Sequence, residues 1–178
     1  MKYRIEKDSL GEVKVPSTAL WGAQTQRALD NFQISGIKFA FPFGRSFIEA
    51  LGIIKYAAAS SNAALKLLPS SKSKLIKYAA KEIIDGKYDD QFPLDIFQTG
   101  SGTSTNMNAN EVIANLCYKT SKVKIHPNDD VNMSQSSNDV IPTVMNLAYH
   151  FDSSKKLMPA LDLLIETLEK KADLVKGV

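Results

Sequence analysis

Residues Val140–Val178 read VIPTVMNLAYHFDSSKKLMPALDLLIETLEKKADLVKGV and predict the main structural element of this chain. Its apolar residues recur at helical spacing over nearly forty residues, a length that is typical of a bundle helix rather than of a helix in a compact domain. Pro142 falls in its first turn, and we expect Pro159 to kink or interrupt it. Nothing else in the sequence is long enough to pair with it along its whole length. We therefore expect its apolar stripe to be covered by another subunit, by further sequence, or by both.

Helical spacing also predicts two shorter helices upstream. The first covers Phe47–Leu68 and ends at Pro69, which cannot continue a helix. The second runs from about Ser71, which can cap it, to Ile84, with Gly86 as its stop. The first thirty-odd residues are expected to form an irregular or extended arm. The sequence as a whole predicts a mainly α fold.

The composition is that of an ordinary globular protein, with 44% apolar and 23% charged residues among 178. The net charge of +3 comes from scattered lysines. Their densest clusters, Lys72–Lys77 and Lys122–Lys124, are short and lack interleaved aromatic residues, so no nucleic-acid partner is expected. The N-terminal segment has no secretory signal pattern, and no apolar run is long enough to span a membrane. The single cysteine, Cys117, cannot form an internal disulfide. We expect it to be buried and the protein to lie in a reducing compartment.

The stretch Gln98–Glu111, QTGSGTSTNMNANE, is polar and almost uncharged. Its two glycines, Gly100 and Gly102, favour a loop, and helical periodicity resumes directly after them. Hydroxyl groups therefore meet a helix N-terminus, where free N–H groups and the helix dipole favour an anion. Ser101 and Thr103 are the foremost of these hydroxyl residues.

A second polar loop opens the long C-terminal helix with Ser136, Ser137 and Asn138. Together the two loops would offer a set of neutral donors suited to carboxylate oxygens. The alternative is that these residues only cap their helices, as Ser, Thr and Asn commonly do. The residues alone leave both interpretations open.

His126 precedes a loop rich in Asn and Asp, but its spacing matches no metal-ligand pattern. The sequence also lacks a P-loop and a complete dinucleotide-binding fingerprint. The residues by themselves thus indicate a helical protein, and they favour a carboxylate-binding site at the two polar loops over helix capping alone.

Three segments carry a resemblance to a known family: LWGAQTQR (Leu20–Arg27), QTGSGTSTNMNANEVIAN (Gln98–Asn115) and HPNDDVNMSQSSNDVIPT (His126–Thr143). With them the chain resembles class II fumarate hydratase, of the fumarase and aspartase superfamily. The resemblance implies an N-terminal lyase domain over residues 1–134, followed at 135–178 by the first long helices of a fumarase/aspartase-type central helix bundle.

The activity that the resemblance implies is the reversible hydration of fumarate to L-malate in the tricarboxylic acid cycle. It also implies a cytoplasmic homotetramer whose active sites combine several subunits, with no metal and no organic cofactor.

The resemblance implies that residues matching the family's motifs have the binding roles known for the family. The substrate carboxylates would be bound by Ser101, Gly102, Thr103, Ser136, Ser137 and Asn138. A secondary dicarboxylate site would be formed by His126, Pro127, Asn128 and Asp129. Val123 stands where a basic residue often supports this secondary site.

The resemblance also implies that the family's acid and base segments would lie beyond Val178. The chain would then hold no catalytic residue, contribute only neutral donors to the substrate site, and be an N-terminal portion that is inactive alone. One alternative is aspartate ammonia-lyase, although Ser134 and Ser137 stand where that enzyme usually has Cys and Thr. The other alternative is a non-catalytic oligomerisation or binding module.

Overall fold

The computed structural model of this chain describes residues 2–37 and 44–177, and it is mainly helical, as predicted. Its elements are β1 (Tyr3–Asp8), β2 (Gly11–Pro16), α1 (Ala23–Asn31), α2 (Gly44–Ala64), α3 (Ser70–Ile84), α4 (Thr103–Ser121), α5 (Ser137–Asp152) and α6 (Met158–Leu174). Short helical turns cover Asp89–Gln91, Pro127–Val131 and Ser153–Leu157, of which the first is a 3₁₀ turn and the other two are π-helical.

The N-terminal arm, expected to be irregular or extended, is extended and regular, because β1 and β2 form an antiparallel hairpin that is followed by α1. The turn is closed by Asp8, whose carboxylate accepts the N–H of Leu10 at 2.9 Å, and by Gly11, which adopts a positive φ of 111°. The guanidinium of Arg4 then donates to the carbonyl of Trp21 at 2.6 Å, which ties the hairpin to the start of α1.

Helices α2, α3, α4 and α5 enclose the core. α2 packs against α3 and α5, while α4 packs against α3 and α1. Gly52 allows α2 and α3 to approach closely, because a Cβ atom at this position would lie 2.8 Å from Cγ1 of Ile84. Cys117 is buried, as predicted. The core includes Ile48, Leu51, Ile76, Ile83, Val112, Ile113, Leu116, Cys117, Val140 and Val144.

The ends of α2 and α3 differ in detail from those predicted. α2 stops before Pro69 because Lys66 adopts a positive φ of 60°, and the carbonyl of Asn62 accepts the N–H of Leu68 at 3.1 Å. Ser71 does not cap α3, since the helix begins one residue earlier and has no side-chain cap hydrogen bond. Gly86, with a φ of 78°, follows the end of α3 as predicted.

The long C-terminal helix is present and nearly continuous. Because α5 begins at Ser137, Pro142 lies beyond the first turn rather than in it. The predicted interruption is the π-helical segment Ser153–Leu157, which ends just before Pro159, a residue with no N–H to continue the helical ladder.

None of the described residues of α6 is buried, so its apolar stripe has no partner within the described part of this chain. The stripe includes Leu161, Leu164, Ile165 and Leu168.

No helix within residues 2–37 and 44–177 combines the length and apolarity needed to cross a membrane.

Candidate functional site

The first polar loop makes a sharp entry into α4 at Gly102. This residue has a positive φ of 69°, and a Cβ atom there would lie 2.9 Å from Cγ1 of Ile141 in α5. A side chain is therefore disfavoured both by the backbone conformation and by the close approach of α5. The predicted loop and helix start are confirmed, with α4 beginning at Thr103.

The hydroxyl groups of this loop divide into exposed and buried ones. Ser101 and Thr103 are exposed, and their oxygens lie 2.8 Å apart. Thr105 is buried, and both its N–H and its hydroxyl donate to Oε1 of Gln98, at 3.0 and 2.8 Å. Ser101 and Thr103 thus remain accessible to a ligand, whereas Thr105 fixes the loop to the helix.

Gln98 is held in turn by the segment around Asp95, whose carbonyl accepts from Nε2 of Gln98 at 3.0 Å. The carboxylate of Asp95 accepts the hydroxyl and N–H of Ser35 and the N–H groups of Gly36 and Phe97, all between 2.8 and 3.0 Å. Burial raises the pKa of Asp95, but these hydrogen bonds outweigh burial and lower it to about 2. The loop therefore starts from a rigid anchor.

The second polar loop combines capping with a contact to α4. Ser136 is the N-cap of α5, and its hydroxyl accepts the N–H of Asn138 at 3.3 Å, so the capping interpretation holds for this residue. Ser137 has a different role, since its hydroxyl accepts from Nδ2 of Asn106 at 3.0 Å. Asn138 is exposed beside them.

Asn106 joins the two loops, because it lies in the first turn of α4 and bonds Ser137 in the first turn of α5. The contact between Gly102 and Ile141 brings the same two helix starts together. The six residues predicted to bind substrate thus lie at two adjacent helix N-termini. Of these six residues, Gly102 lines a cavity of about 460 Å³ and the other five do not. Gly100 and Thr105 line the same cavity on the loop side, and Met145 and Tyr149 line it on α5.

That the chain contributes only neutral donors to the substrate site stays a prediction, but a charged residue, Lys55 of α2, lies behind the two loops. Its side chain is fully buried, and its ammonium donates to Oδ1 of Asn106 at 2.7 Å, Oδ1 of Asn132 at 3.1 Å and Oε1 of Gln135 at 2.9 Å. Burial lowers the pKa of Lys55 to about 7, while the three acceptor oxygens favour the ammonium form.

Sequence reasoning missed Lys55, although one signal was available. Leu51, Lys55 and Ala59 recur at a spacing of four on the face of α2 that is buried. A lysine on such a face is rarely fully buried unless it is paired.

The residues predicted to form a secondary site lie in the π-helical turn after His126. Nδ1 of His126 accepts the N–H of Asp129 at 3.0 Å and caps the turn, and an oxygen of the Asp129 carboxylate lies 3.1 Å from the same nitrogen. The turn is anchored by Asp130, which is buried and accepts from Nζ of Lys72 at 2.8 Å. A separate cavity of about 470 Å³ is lined by His126, Pro127 and Asn128, but by none of the six residues at the two helix starts.

Glu111, the only charged residue of the stretch Gln98–Glu111, faces away from the loops. Its carboxylate accepts the N–H groups of Gly22, Gln24 and Thr25 and the hydroxyl of Thr25, at 2.6 to 3.1 Å. It therefore caps the N-terminus of α1 from a distant part of the sequence.

Within the described ranges 2–37 and 44–177, no group of three or more His, Cys, Asp or Glu side chains is placed to hold a metal ion. The absence of a metal or organic cofactor stays a prediction.

Comparison with known proteins identifies the class of protein to which this helical fold belongs, namely a lyase. A sequence profile described as "Lyase" matches residues 11–178, so the chain belongs to this lyase family. The chain is similar to class II fumarate hydratase of Xylella fastidiosa, with 55% identity over 96% of this chain and 35% of the relative. It is similar to that of Halobacterium salinarum, with 53% identity over 99% of this chain and 38% of the relative.

Solved structures give the same result for the fold. The recombinant class II fumarase from Schistosoma mansoni superimposes with a TM-score of 0.88 at 39% identity, covering 96% of this chain and 36% of that one. The fumarate lyase:delta crystallin from Brucella melitensis bound to cobalt gives a TM-score of 0.91 at 45% identity, covering 96% and 38%. The chain thus spans little more than a third of the length of these relatives.

Proposed function

We propose that this chain carries the substrate-carboxylate loops of a class II fumarate hydratase, which hydrates fumarate reversibly to L-malate in the tricarboxylic acid cycle. The observation that carries this proposal is the hydrogen bond between Asn106 and Ser137, which joins two helix starts rich in neutral donors. Two converging helix N-termini favour a dianion, because each presents the positive end of its dipole. The N–H groups of Ser104, Thr105 and Asn138 are bonded within the loops, so the exposed side-chain donors would make the direct contacts.

In this proposal the accessible groups bind the substrate and the others shape the loops. The hydroxyls of Ser101 and Thr103 and the side chain of Asn138 would donate to carboxylate oxygens. Gly102 would keep the N-terminus of α4 open to the ligand, since it has no side chain. Ser136 and Ser137 would hold the second loop, the former as a cap and the latter through Asn106.

Hydration also needs a group that moves a proton at carbon and one that moves a proton at oxygen. The two loops supply neutral donors rather than a base. We therefore expect the 178-residue chain alone not to turn over L-malate, and propose that the proton-transfer groups come from other segments of a multi-subunit site.

We further propose a division into an N-terminal lyase domain, residues 1–134, and the start of a central helical bundle, residues 135–178, in a cytoplasmic homotetramer. The exposed apolar stripe of α6 supports this assembly, because four apolar residues on one uncovered helix face need a partner surface in water. The turn at His126, Pro127, Asn128 and Asp129 is proposed as a secondary dicarboxylate site beside its own cavity.

Complementation tests the proposed activity. The chain is co-expressed with a polypeptide that supplies the part of the Xylella fastidiosa relative outside the matched region, and hydration is followed by the ultraviolet absorbance of fumarate. We expect turnover of fumarate in water by the mixture, and none by either polypeptide alone. Product that forms only when ammonium is added would instead identify an ammonia-lyase.

Variants then test the loops. Thr103→Val removes a proposed donor while keeping the side-chain shape, and we expect the KM for fumarate to rise about tenfold. Thr143→Val is the matched control, because Thr143 is exposed on α5 and its hydroxyl donates to the carbonyl of Asp139. A symmetric assembly that forms without any hydration or ammonia-lyase activity would contradict the proposal and favour a non-catalytic module.

A further inference from the structure

Lys55 is unusual because it is a fully buried cation whose hydrogen-bond partners are all neutral. In the described ranges 2–37 and 44–177, no carboxylate pairs with it. Three amide oxygens accept from its ammonium, and these oxygens can only accept. All three N–H bonds are therefore used, and the positive charge remains uncompensated by a nearby anion.

Stability alone does not account for this arrangement. An aliphatic side chain of similar length would fill the same space without the desolvation penalty of a buried charge, and such replacements are often neutral or stabilising. Lys55 is thus better explained by what its charge and its three hydrogen bonds do to the groups around it.

Those groups belong to both polar loops. Asn106, which accepts from Lys55, donates from its Nδ2 to the hydroxyl of Ser137 at 3.0 Å, so a single amide separates the ammonium from the second loop. Gln135, which also accepts from Lys55, immediately precedes Ser136 and donates to the carbonyl of Val131 at 2.8 Å.

The backbone of the second loop has one unusual conformation and a further hydrogen bond to α2. Ser134 adopts a positive φ of 59°, which is uncommon for a residue other than glycine. The carbonyl of Met133 accepts from Nδ2 of Asn62 at 2.9 Å, so α2 holds the loop at two positions that lie on one face of the helix. Lys55 and Asn62 together form a rigid support behind the second loop.

We propose that Lys55 is a positioning residue that holds the two carboxylate-binding loops in place relative to each other and, in its ammonium form, puts a positive charge behind them. This inference rests on the proposed function, because the charge matters only if an anion binds at the loops. Through one intervening amide, a buried unit charge raises the affinity for a carboxylate by roughly tenfold or more at the effective dielectric of a protein interior.

The first test uses the 178-residue chain and does not depend on activity. Amide hydrogen exchange is compared in the parent chain, in Lys55→Met, and in Lys74→Met, which removes an exposed lysine of α3. We expect Lys55→Met to accelerate exchange about tenfold or more at residues 103–106 and 135–138, with no change in the β1–β2 hairpin. Unchanged exchange in both loops would overturn the positioning role, whatever the outcome of the complementation assay.

The second test uses the complemented enzyme and separates charge from packing. Gln135→Glu places a carboxylate against the ammonium, so the fold gains a counter-ion while the positive charge behind the loops is cancelled. The new carboxylate also loses the Nε2 donor to the carbonyls of Val131 and Met133, so we expect the ion pair to offset this loss and the melting temperature to be kept. We expect the KM for fumarate to rise about tenfold with kcat within about threefold.

A purely structural Lys55 predicts the same stability for this variant but an unchanged KM, and an unchanged KM would overturn the proposal. Gln135→Glu also guards against the possibility that Lys55→Met does not fold. If the parent assembly has no hydratase activity, the proposed function fails, but the exchange experiment still decides whether Lys55 holds the loops.

Discussion

Replacing Glu111 by glutamine is expected to lower the free energy of unfolding by about 2–4 kcal/mol. Glu111 is buried in α4, and its carboxylate caps α1 through four hydrogen bonds from Gly22, Gln24 and Thr25. Glutamine has nearly the same shape but replaces one acceptor oxygen with a donor group. The substitution therefore tests charge and hydrogen bonding with little change in packing.

The magnitude follows from the geometry of the two oxygens. Oε1 accepts the N–H of Gln24 at 2.9 Å, while Oε2 accepts from Gly22 and twice from Thr25. An amide nitrogen in the place of Oε1 leaves the N–H of Gln24 facing another donor, which costs about 1–3 kcal/mol. Loss of the negative charge at the N-terminus of α1 adds about 0.3–2 kcal/mol.

Urea unfolding followed by circular dichroism measures this difference. Glu169→Gln is the matched control, because Glu169 is exposed on α6, and we expect it to change the free energy of unfolding by less than about 0.5 kcal/mol. Thr25→Val removes one of the four donors and should cost about 1 kcal/mol. A change of less than about 0.5 kcal/mol in Glu111→Gln would refute the capping role.

Three further predictions concern the core and its titratable groups. Gly52→Ala should lower the free energy of unfolding by about 1–3 kcal/mol in the same urea assay, because the new Cβ meets Cγ1 of Ile84 at 2.8 Å; no change would show that α2 and α3 can separate freely. The pKa of Asp95 is lowered from 3.8 to about 2, so the contribution of its carboxylate to the free energy of unfolding is complete above pH 3.8 and is lost as the pH falls through 2. An acid-unfolding curve should therefore be flatter in this pH range for Asp95→Asn than for the parent chain. Burial raises the pKa of Cys117 to about 12, so a disulfide reagent at neutral pH should label it slowly in the native chain and rapidly in urea; equal rates would contradict its burial.

The sequence predicted the helices well, because helical periodicity is a pattern among residues that lie close together in the chain. The apolar repeat after Val140 predicted the long helix, and Gly102 with its hydroxyl neighbours predicted the start of α4. The hairpin was missed, since its strands are short and its turn depends on the side chain of Asp8 and the conformation of Gly11. The cap assigned to Ser71 was wrong because α3 starts directly after Pro69.

The shared chemistry of the two polar loops and the family resemblance both predicted that they act together, but neither predicted the contact between them, which joins residues far apart in the sequence. Asn106 and Ser137 are 31 positions apart, and Lys55 reaches acceptors 51, 77 and 80 positions away. No periodic pattern in a single sequence encodes such distances. They are fixed when α2, α4 and α5 pack against one another.

Residue type and local spacing account for the helical class, the polar character of the two loops and the unpartnered apolar stripe of α6. The roles of the charged side chains depend on how the helices pack. Glu111, which stands in the polar stretch, is turned away to cap α1. Lys55, which stands in an apolar helix, is brought behind both loops. Burial decides both roles, since a charge removed from water must find hydrogen-bond partners, and only the packed fold determines which partners are within reach.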